Sequence, residues 1–170
     1  PDTPISREEA AVLLCRAMGI EAEGDAGLEI ADRGAVSPWA QGAVAALSER
    51  GMISGVGENT FAPGLDITRA AVAKMVDNMV AAYVVAELTG EINGVVIVAA
   101  NADVVLKNAA LSENLIVAPK AGEATVTLAG KTVAEGKILV DSASSSLTVE
   151  KTAAAGDIMV SAPKAQVAVE

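Results

Sequence analysis

The chain has no histidine and a single cysteine, Cys15, among its 170 residues. The missing histidine excludes every mechanism that depends on an imidazole base, nucleophile or metal ligand. Cys15 lies on the apolar face of a predicted helix, so we expect a buried structural thiol rather than a nucleophile. So little cysteine fits either a reducing cytosol or the exterior of a bacterium.

Positive charge and long apolar runs are also scarce. Twelve Lys and Arg residues stand against 22 Asp and Glu residues, which gives a net charge of −10. No basic cluster is present to replace the counterions of a duplex, so nucleic acid is not an expected partner. The longest apolar stretches are interrupted by Lys74, Asp77 and Glu87 before they reach bilayer length, so no membrane insertion is predicted.

Residues 30–80 contain the densest set of local signals and predict helix, glycine-rich turn and second helix. Ser37 precedes Pro38 as a predicted N-cap, and Gly51 follows the first apolar run as a stop signal. Thr68 is the predicted cap of the second helix. Apolar residues recur at helical spacing as far as Val84, so this helix is expected to end near Glu87 to Gly90.

A related pattern occurs at the start of the chain. Ser6 and Glu9 predict a capping box, and Ile5-Ser6-Arg7 is equivalent to Ile67-Thr68-Arg69, 62 positions later. The chain is therefore interpreted as the tail of one repeated unit followed by one complete unit, and as a fragment of a longer protein. Residues 21–29, between them, are acidic and glycine-containing; their spacing matches no calcium-binding loop, which favours a plain linker.

After Gly90 the sequence changes to short β-branched runs at a regular period. Two registers of strands recur every 20 to 22 residues, and Leu111 and Val133 suggest a third register. Units this short cannot bury an apolar face alone, so they must stack, which predicts a parallel β-helix of about four coils. The first register comprises 94–98, 114–117, 136–140 and 156–160, and the second comprises 104–106, 126–128, 147–149 and 167–169.

The predicted fold class is therefore α+β with two domains, a helical domain at 1–90 and a β-helix at 91–170. The last strand ends without proline, charge run or capping helix, so we expect another coil or a neighbouring molecule to cover it, and self-association is a predicted property. Seven residues are expected to face the core of the β-helix, with an ambiguity of one residue in each strand. They are Ile97, Leu106, Ile116, Leu128, Leu139, Leu147 and Met159.

The helical motifs together resemble the S-layer homology (SLH) family. The resemblance rests on Asp32, Trp39-Ala40 with Ala43-Val44 and Leu47, Gly51-Met52-Ile53 with Gly55, Phe61 with Pro63, and Ile67-Thr68-Arg69-Ala70. Ile30 stands where an aromatic residue is usual, and Ala71 replaces the glutamate of the last motif. The second half resembles the short β-helical repeats that accompany SLH modules in surface proteins of Gram-positive bacteria.

This resemblance implies a non-catalytic, extracellular protein of the cell wall or S-layer that binds secondary cell-wall polysaccharide bearing acidic pyruvyl groups. It places Arg69 and Arg7 at the position that recognises the acid and Trp39 near the groove, while Asp32 and Gly55 complete the predicted site. No cofactor and no metal are expected. The carboxylates of the second half fall beside turns rather than converging, which argues against catalysis. Two alternatives stay open: an SLH-anchored carbohydrate-active enzyme with a β-helix module, and a purely protein–protein assembly module.

Overall fold

The computed structural model of the protein describes residues 4–24, 28–57, 59–99 and 101–170. The chain divides into two compact units, of which the first ends at Met79 and the second spans Val80–Glu170. The first contains three α-helices and the second a parallel β-solenoid of about four turns, which confirms the α+β class. No helix in these ranges is both long and apolar enough to cross a bilayer. Residues 25–27 of the predicted acidic linker lie outside the described residues.

The first helix begins at the predicted capping box. The Ser6 hydroxyl accepts the Glu9 N–H at 3.2 Å, and the Glu9 carboxylate accepts the Ser6 N–H at 2.7 Å. Gly19 follows the helix with a φ of +64°, a conformation that glycine adopts without strain. The helices of the first unit are α1 (Arg7–Ala17), α2 (Gln41–Glu49) and α3 (Arg69–Met79).

Helix α2 begins later than the predicted cap at Ser37, and this prediction was wrong. The Ser37 carbonyl accepts the N–H groups of Ala40 and Gln41, and the regular helix starts only at Gln41. The Ser37 hydroxyl does not act as an N-cap, because it donates to the Glu8 carboxylate at 2.8 Å, and the Ser37 N–H donates to the same carboxylate at 2.8 Å. A buried carboxylate from α1 thus holds the turn before α2 through Ser37, and α2 itself has no side-chain cap.

Helix α3 begins at the predicted cap but ends well before Gly90. The Thr68 hydroxyl accepts the Ala71 N–H at 3.1 Å, whereas the helix stops at Met79. Val80–Tyr83 forms a strand that pairs in parallel with Val95–Val98. The apolar stripe continues at helical spacing, but its last residues are β-branched or aromatic and also suit a strand. Pairing with a neighbouring strand overrides the weak local preference for helix.

The solenoid is built from two sheets in which every strand pair is parallel. One sheet has the order β1-β3-β5-β8-β11, and the other has β10-β7-β4-β6-β9-β12 with β2 paired to β4. The strands are β1 (Val80–Tyr83), β2 (Glu87–Ile92), β3 (Val95–Val98), β4 (Asp103–Leu111), β5 (Leu115–Val117), β6 (Thr125–Ala129), β7 (Val133–Ala134), β8 (Ile138–Val140), β9 (Ser146–Val149), β10 (Ala154–Ala155), β11 (Ile158–Val160) and β12 (Gln166–Val169).

The two predicted strand registers are confirmed. Val98 pairs with Val117, which pairs with Val140, and Val104 pairs with Val126, which pairs with Leu147. The third register exists but is displaced by one residue at Val133. Leu111 pairs with Ala134, while Val133 is 39% exposed. The small Ala134 side chain takes the inward position because the pleat turns alternate residues to opposite faces.

Three of the predicted core residues are confirmed and four are displaced by one position. Leu106, Leu128 and Leu147 belong to the buried cluster inside the solenoid. In the other sheet the strands are unbroken apolar runs, so the sequence contains no alternation that identifies the inward face. There the core side chains include Val96, Val98, Leu115, Val117, Ile138 and Val140, whereas Ile97, Ile116, Leu139 and Met159 occupy the alternate positions.

Candidate functional site

A groove of about 450 Å³ lies between α1 and α2 in the first unit. Val12, Cys15 and Arg16 of α1 line one side, and Trp39 and residues 41–43 line the other. A second recess, of about 300 Å³, shares Val12, Arg16 and Trp39 with the groove and adds residues from the start of α1. The side chains common to both recesses are therefore one aliphatic, one cationic and one aromatic group.

The loop after α1 closes one end of this groove over α2. A Cβ atom at Gly42 would lie 2.6 Å from the Ala22 carbonyl oxygen and 3.0 Å from that of Gly24. Both atoms belong to the backbone and cannot move as a flexible side chain would. The backbone of the loop therefore approaches α2 so closely that only glycine fits at position 42.

Trp39 and Arg16 are two groove residues with exposed side chains. Trp39 follows Pro38 in the turn before α2, and 58% of its surface is exposed. Arg16 lies in the last turn of α1, where it is exposed, and its side chain makes no hydrogen bond or ion pair with any described residue. An exposed indole and an exposed guanidinium in one groove offer a flat apolar face and a fork of five donors.

Cys15 lies at the buried side of the groove, as expected of a structural thiol. Only 2% of its surface is exposed, and its thiol lies 3.7 Å from the Ala43 carbonyl oxygen, to which it donates. Burial raises the pKa of the Cys15 thiol to about 11, and the charge of Arg50 opposes this shift only in part. The thiol is therefore neutral near neutral pH and has no nucleophilic character there.

Arg7, one of the predicted ligand-binding residues, is buried inside the first unit. Its Nε donates to the Phe61 carbonyl at 2.7 Å, and its Nη2 donates to the Ser54 carbonyl at 2.9 Å. The guanidinium carbon also lies 4.9 Å from the centroid of the Phe61 ring. Desolvation lowers the pKa of Arg7, while the charge of Asp32 raises it. These contacts occupy the guanidinium within the fold.

Asp32 and Gly55, also predicted site residues, hold the turns of the complete unit. The Asp32 carboxylate accepts the N–H of Phe61 at 2.9 Å and that of Ala62 at 2.7 Å, and Ala62 has a φ of +56°. A Cβ atom at Gly55 would lie 2.5 Å from the Thr60 carbonyl oxygen. The fold therefore requires a carboxylate at Asp32 and a glycine at Gly55, whether or not a ligand binds.

Arg69, the remaining predicted residue, is the first residue of α3 and is exposed. Its guanidinium has no hydrogen-bond or ion-pair partner within the described ranges. Arg69 lines neither of the two recesses that contain Trp39. The structure therefore brings Trp39 together with Arg16, which the sequence analysis did not select, and not with Arg69.

Arg16 was missed although the sequence contained a signal for it. Val12 and Arg16 are four residues apart and share a face of α1, so a charged group falls on an otherwise apolar stripe. Glu8 was missed as well, because a bond between α1 and Ser37 spans 29 residues. Among the residues that the structure describes, no three His, Cys, Asp or Glu side chains are grouped so that they could hold a metal ion.

Comparison with known proteins places the first unit in context. Residues 29–73 match the family model of the S-layer homology domain. A stretch of 75 residues, 44% of this chain, is 39% identical to the "Surface-layer 125 kDa protein" of Lysinibacillus sphaericus. The chain spans only 6% of the length of that relative. No solved structure matches the chain at a significant level.

These similarities agree with the motifs from which the family was predicted. The matched region contains Asp32, Trp39, Gly55 and Phe61, and it ends within α3. The predicted resemblance is therefore confirmed: residues 29–73 are similar to the S-layer homology domain, and a parallel β-solenoid of about four turns follows them.

Proposed function

We propose that this chain is a non-catalytic anchoring module of the bacterial cell surface that binds secondary cell-wall polysaccharide in the groove between α1 and α2. The observation that carries the proposal is the exposure of Trp39. The chain has one tryptophan, and 58% of its surface faces solvent in a groove rather than packing in the core. A large apolar side chain exposed in a concave site indicates a binding surface.

The groove suits a sugar ring. Trp39 offers a flat apolar face, and the polar groups around it supply hydrogen-bonding partners at the edge of such a ring. The SLH match and the similarity to a surface-layer protein support a location at the cell wall. Arg69 remains a prediction from the family resemblance, because its side chain lies outside the groove lining.

The solenoid is proposed as a spacer or assembly domain. Strands in adjacent coils lie about 4.8 Å apart, so four turns extend the chain by roughly 20 Å. The last coil leaves Val167 40% exposed and Val169 75% exposed. Both residues lie in β12, which pairs with β9 on one side. Self-association is part of the proposal and is tested by the oligomeric state of the chain.

The test uses purified cell-wall sacculi, with and without prior removal of the non-peptidoglycan polymer. The wild-type chain should sediment with intact sacculi and remain in solution with stripped ones. Trp39→Ala should weaken retention about tenfold, since an aromatic contact contributes roughly 0.5–1.5 kcal/mol beyond area burial. Equal retention on intact and stripped sacculi would overturn polysaccharide binding.

A protein–protein assembly module is the second candidate, because two large apolar side chains of the first unit are exposed outside the groove. Val56 is 53% exposed and Leu65 is 54% exposed. Leu65→Ala is therefore the matched comparison for Trp39→Ala. If only Leu65→Ala lowers retention, the first unit acts through a protein contact and the groove is not the site.

A further inference from the structure

The solenoid has a polar groove of its own, on the side where each coil passes from one sheet into the other. The groove has a volume of about 700 Å³ and lies at the connections from β5 to β6, from β8 to β9 and from β11 to β12. Its lining residues include no aromatic side chain and no aliphatic one. It therefore differs in chemistry from the groove of the helical unit, which contains Trp39.

The lining side chains form two ladders that run from coil to coil. The first ladder stands at the starts of β6, β9 and β12, where its members pair in register. Strands in adjacent coils lie about 4.8 Å apart, so this ladder repeats a polar group at that spacing. Each member of the second ladder precedes a member of the first by two residues. The first ladder is Thr125, Ser146 and Gln166, and the second is Glu123, Ser144 and Lys164.

The ladder side chains have no partner within the fold. No hydrogen bond or ion pair joins any of the six to another residue that the structure describes. Two serines nearby behave differently, because Ser145 donates to the Ser142 carbonyl at 2.9 Å and Ser142 donates to the Gly122 carbonyl at 2.8 Å. Ser142 and Ser145 are buried, whereas Ser144 is exposed. The backbone thus satisfies the inward serines, and the groove hydroxyls stay open to a ligand.

The composition of the lining favours a neutral ligand rich in hydroxyl groups. Glu123 and Lys164 carry opposite charges, so the groove has no net charge to attract a polyanion or a polycation. An apolar ligand would find no apolar surface to bury. The other ladder members carry hydroxyl or amide groups, which both donate and accept hydrogen bonds and so match the hydroxyls of a sugar.

The geometry of the coils favours a chain of sugars over a single one. In an extended β-1,4-linked glycan each ring advances the chain by nearly the spacing of two strands in a sheet, so successive rings meet successive coils. The connection at 118–124 is longer than those at 141–145 and 161–165, and it contains the turn Pro119–Ala121. In repeat proteins, insertions in single repeats often lie on the side that binds the ligand.

We infer that this groove binds a neutral, extended polysaccharide that runs along the axis of the solenoid and bonds to Thr125, Ser146 and Gln166. The inference goes beyond the proposed function, in which the helical unit binds the polysaccharide and the solenoid is a spacer or assembly domain. Each unit then has a glycan site of its own, and loss of one site leaves the other intact.

The experiment follows the amide resonances of the full, isotope-labelled chain during titration with cellotetraose or maltotetraose. Both are neutral tetramers of glucose, and they differ only in their linkage. Cellotetraose should shift the resonances of residues 123–125, 144–146 and 164–166. It should bind about tenfold more tightly than maltotetraose, whose α-1,4 linkages curve the chain away from the ladder and remove two hydrogen bonds. Affinity should rise from cellobiose to cellotriose and then level off, because the three coils span about 10 Å.

Two double variants test the first ladder. Thr125→Val with Ser146→Ala removes two hydroxyls from the groove and should weaken cellotetraose binding about tenfold, as expected for two neutral hydrogen bonds. Thr127→Val with Thr148→Val is the matched control, because it removes two paired hydroxyls two residues further along the same strands, outside the groove lining. The control should bind as the wild type does, and far-UV circular dichroism should be the same for all three proteins.

Three results would overturn the inference. The first is equal binding of the two tetrasaccharides, and the second is an equal loss of binding in both double variants. The third is an uncharged hexapeptide of serine and glycine that shifts the groove resonances when cellotetraose at millimolar concentration does not, which would make the groove a peptide site. Retention on sacculi is measured separately, so the proposed function stands or fails independently of these results.

Discussion

The hydrogen bonds of polar side chains join residues that are farther apart in sequence in the helical unit than in the solenoid. In the helical unit Arg7 reaches Phe61 across 54 residues, and Glu8 reaches Ser37 across 29. In the solenoid the polar side-chain bonds that join coils span only 20 to 26 residues, which is close to the length of one coil. The first unit therefore depends on a few contacts between residues far apart in sequence, whereas the second is joined by contacts between neighbouring coils.

This difference determines what each unit can tolerate. Loss of a unique contact in the helical unit leaves buried backbone groups that no other side chain can satisfy. In the solenoid each coil is held by neighbouring coils through continuous parallel pairing, so stability is distributed over nearest-neighbour interfaces. Substitutions in the first unit should therefore have larger effects than substitutions of similar chemistry in the second.

The largest effect is expected for Arg7→Met. The substitution leaves the Ser54 and Phe61 carbonyls without their donors and removes the contact with the Phe61 ring. The free energy of unfolding of the helical unit should fall by about 3–5 kcal/mol. Denaturation followed by the fluorescence of Trp39 measures this unit selectively, because Trp39 is the only tryptophan of the chain.

Arg69→Met is the matched control, since it changes the equivalent residue 62 positions later. Arg69 is exposed and has no bonded partner in the described ranges, so the change should cost less than about 0.5 kcal/mol. Equal destabilisation by the two variants would show that the two motif copies are equivalent in solution and would remove the distinction between them.

A smaller effect is expected in the solenoid for Thr132→Val. The Thr132 hydroxyl is fully buried, lies 2.7 Å from the carbonyl oxygens of Leu106 and Ala129, and accepts the Ala109 N–H at 3.2 Å. Replacement by a side chain of the same shape leaves these groups unpaired and should cost about 2 kcal/mol. Far-UV circular dichroism during thermal unfolding measures the loss.

The control for this variant is Thr148→Val, which changes a half-buried threonine on β9. Valine suits a strand at least as well as threonine does, so stability should stay within about 0.5 kcal/mol of the wild type. If Thr132→Val is as mild as its control, the coils do not depend on buried polar bonds. If it exceeds Arg7→Met, the proposed difference between the units is wrong.

The strand registers were predictable because residues one repeat apart in sequence lie opposite each other in adjacent coils. Val104, Val126 and Leu147 recur at one-coil spacing and pair as expected. The end of α3 was not predictable in the same way, since Val80 and Tyr83 continue the helical stripe and also pair well as strand residues. The local pattern is compatible with both helix and strand, and the pairing with a neighbouring strand determines which of the two forms.

The candidate site was predicted less completely than the fold. Trp39 was identified from its motif, and the structure places it in a groove. The resemblance treated Arg7 and Arg69 as equivalent, but only the folded chain reveals that Phe61 and Ser54 occupy the first of them. Arg16 becomes a candidate only when α1 and α2 are brought together, which the sequence does not specify at the level of side chains.

The last effect, which is negligible near neutral pH, is a pH dependence of the helical unit, which contains the only cysteine. The ordinary pKa of a cysteine thiol is 9.0, and burial raises that of Cys15 to about 11. Between these values the folded state holds a proton that the unfolded state has released, so the free energy of unfolding falls as pH rises through this window. Denaturation of the wild type and of Cys15→Ala, followed by Trp39 fluorescence, should show a steeper loss in the wild type. Parallel curves for the two proteins above pH 9 would mean that the thiol is not desolvated. The unfolding of the solenoid, followed by far-UV circular dichroism, should be the same in the wild type and in Cys15→Ala, because no cysteine lies within the solenoid.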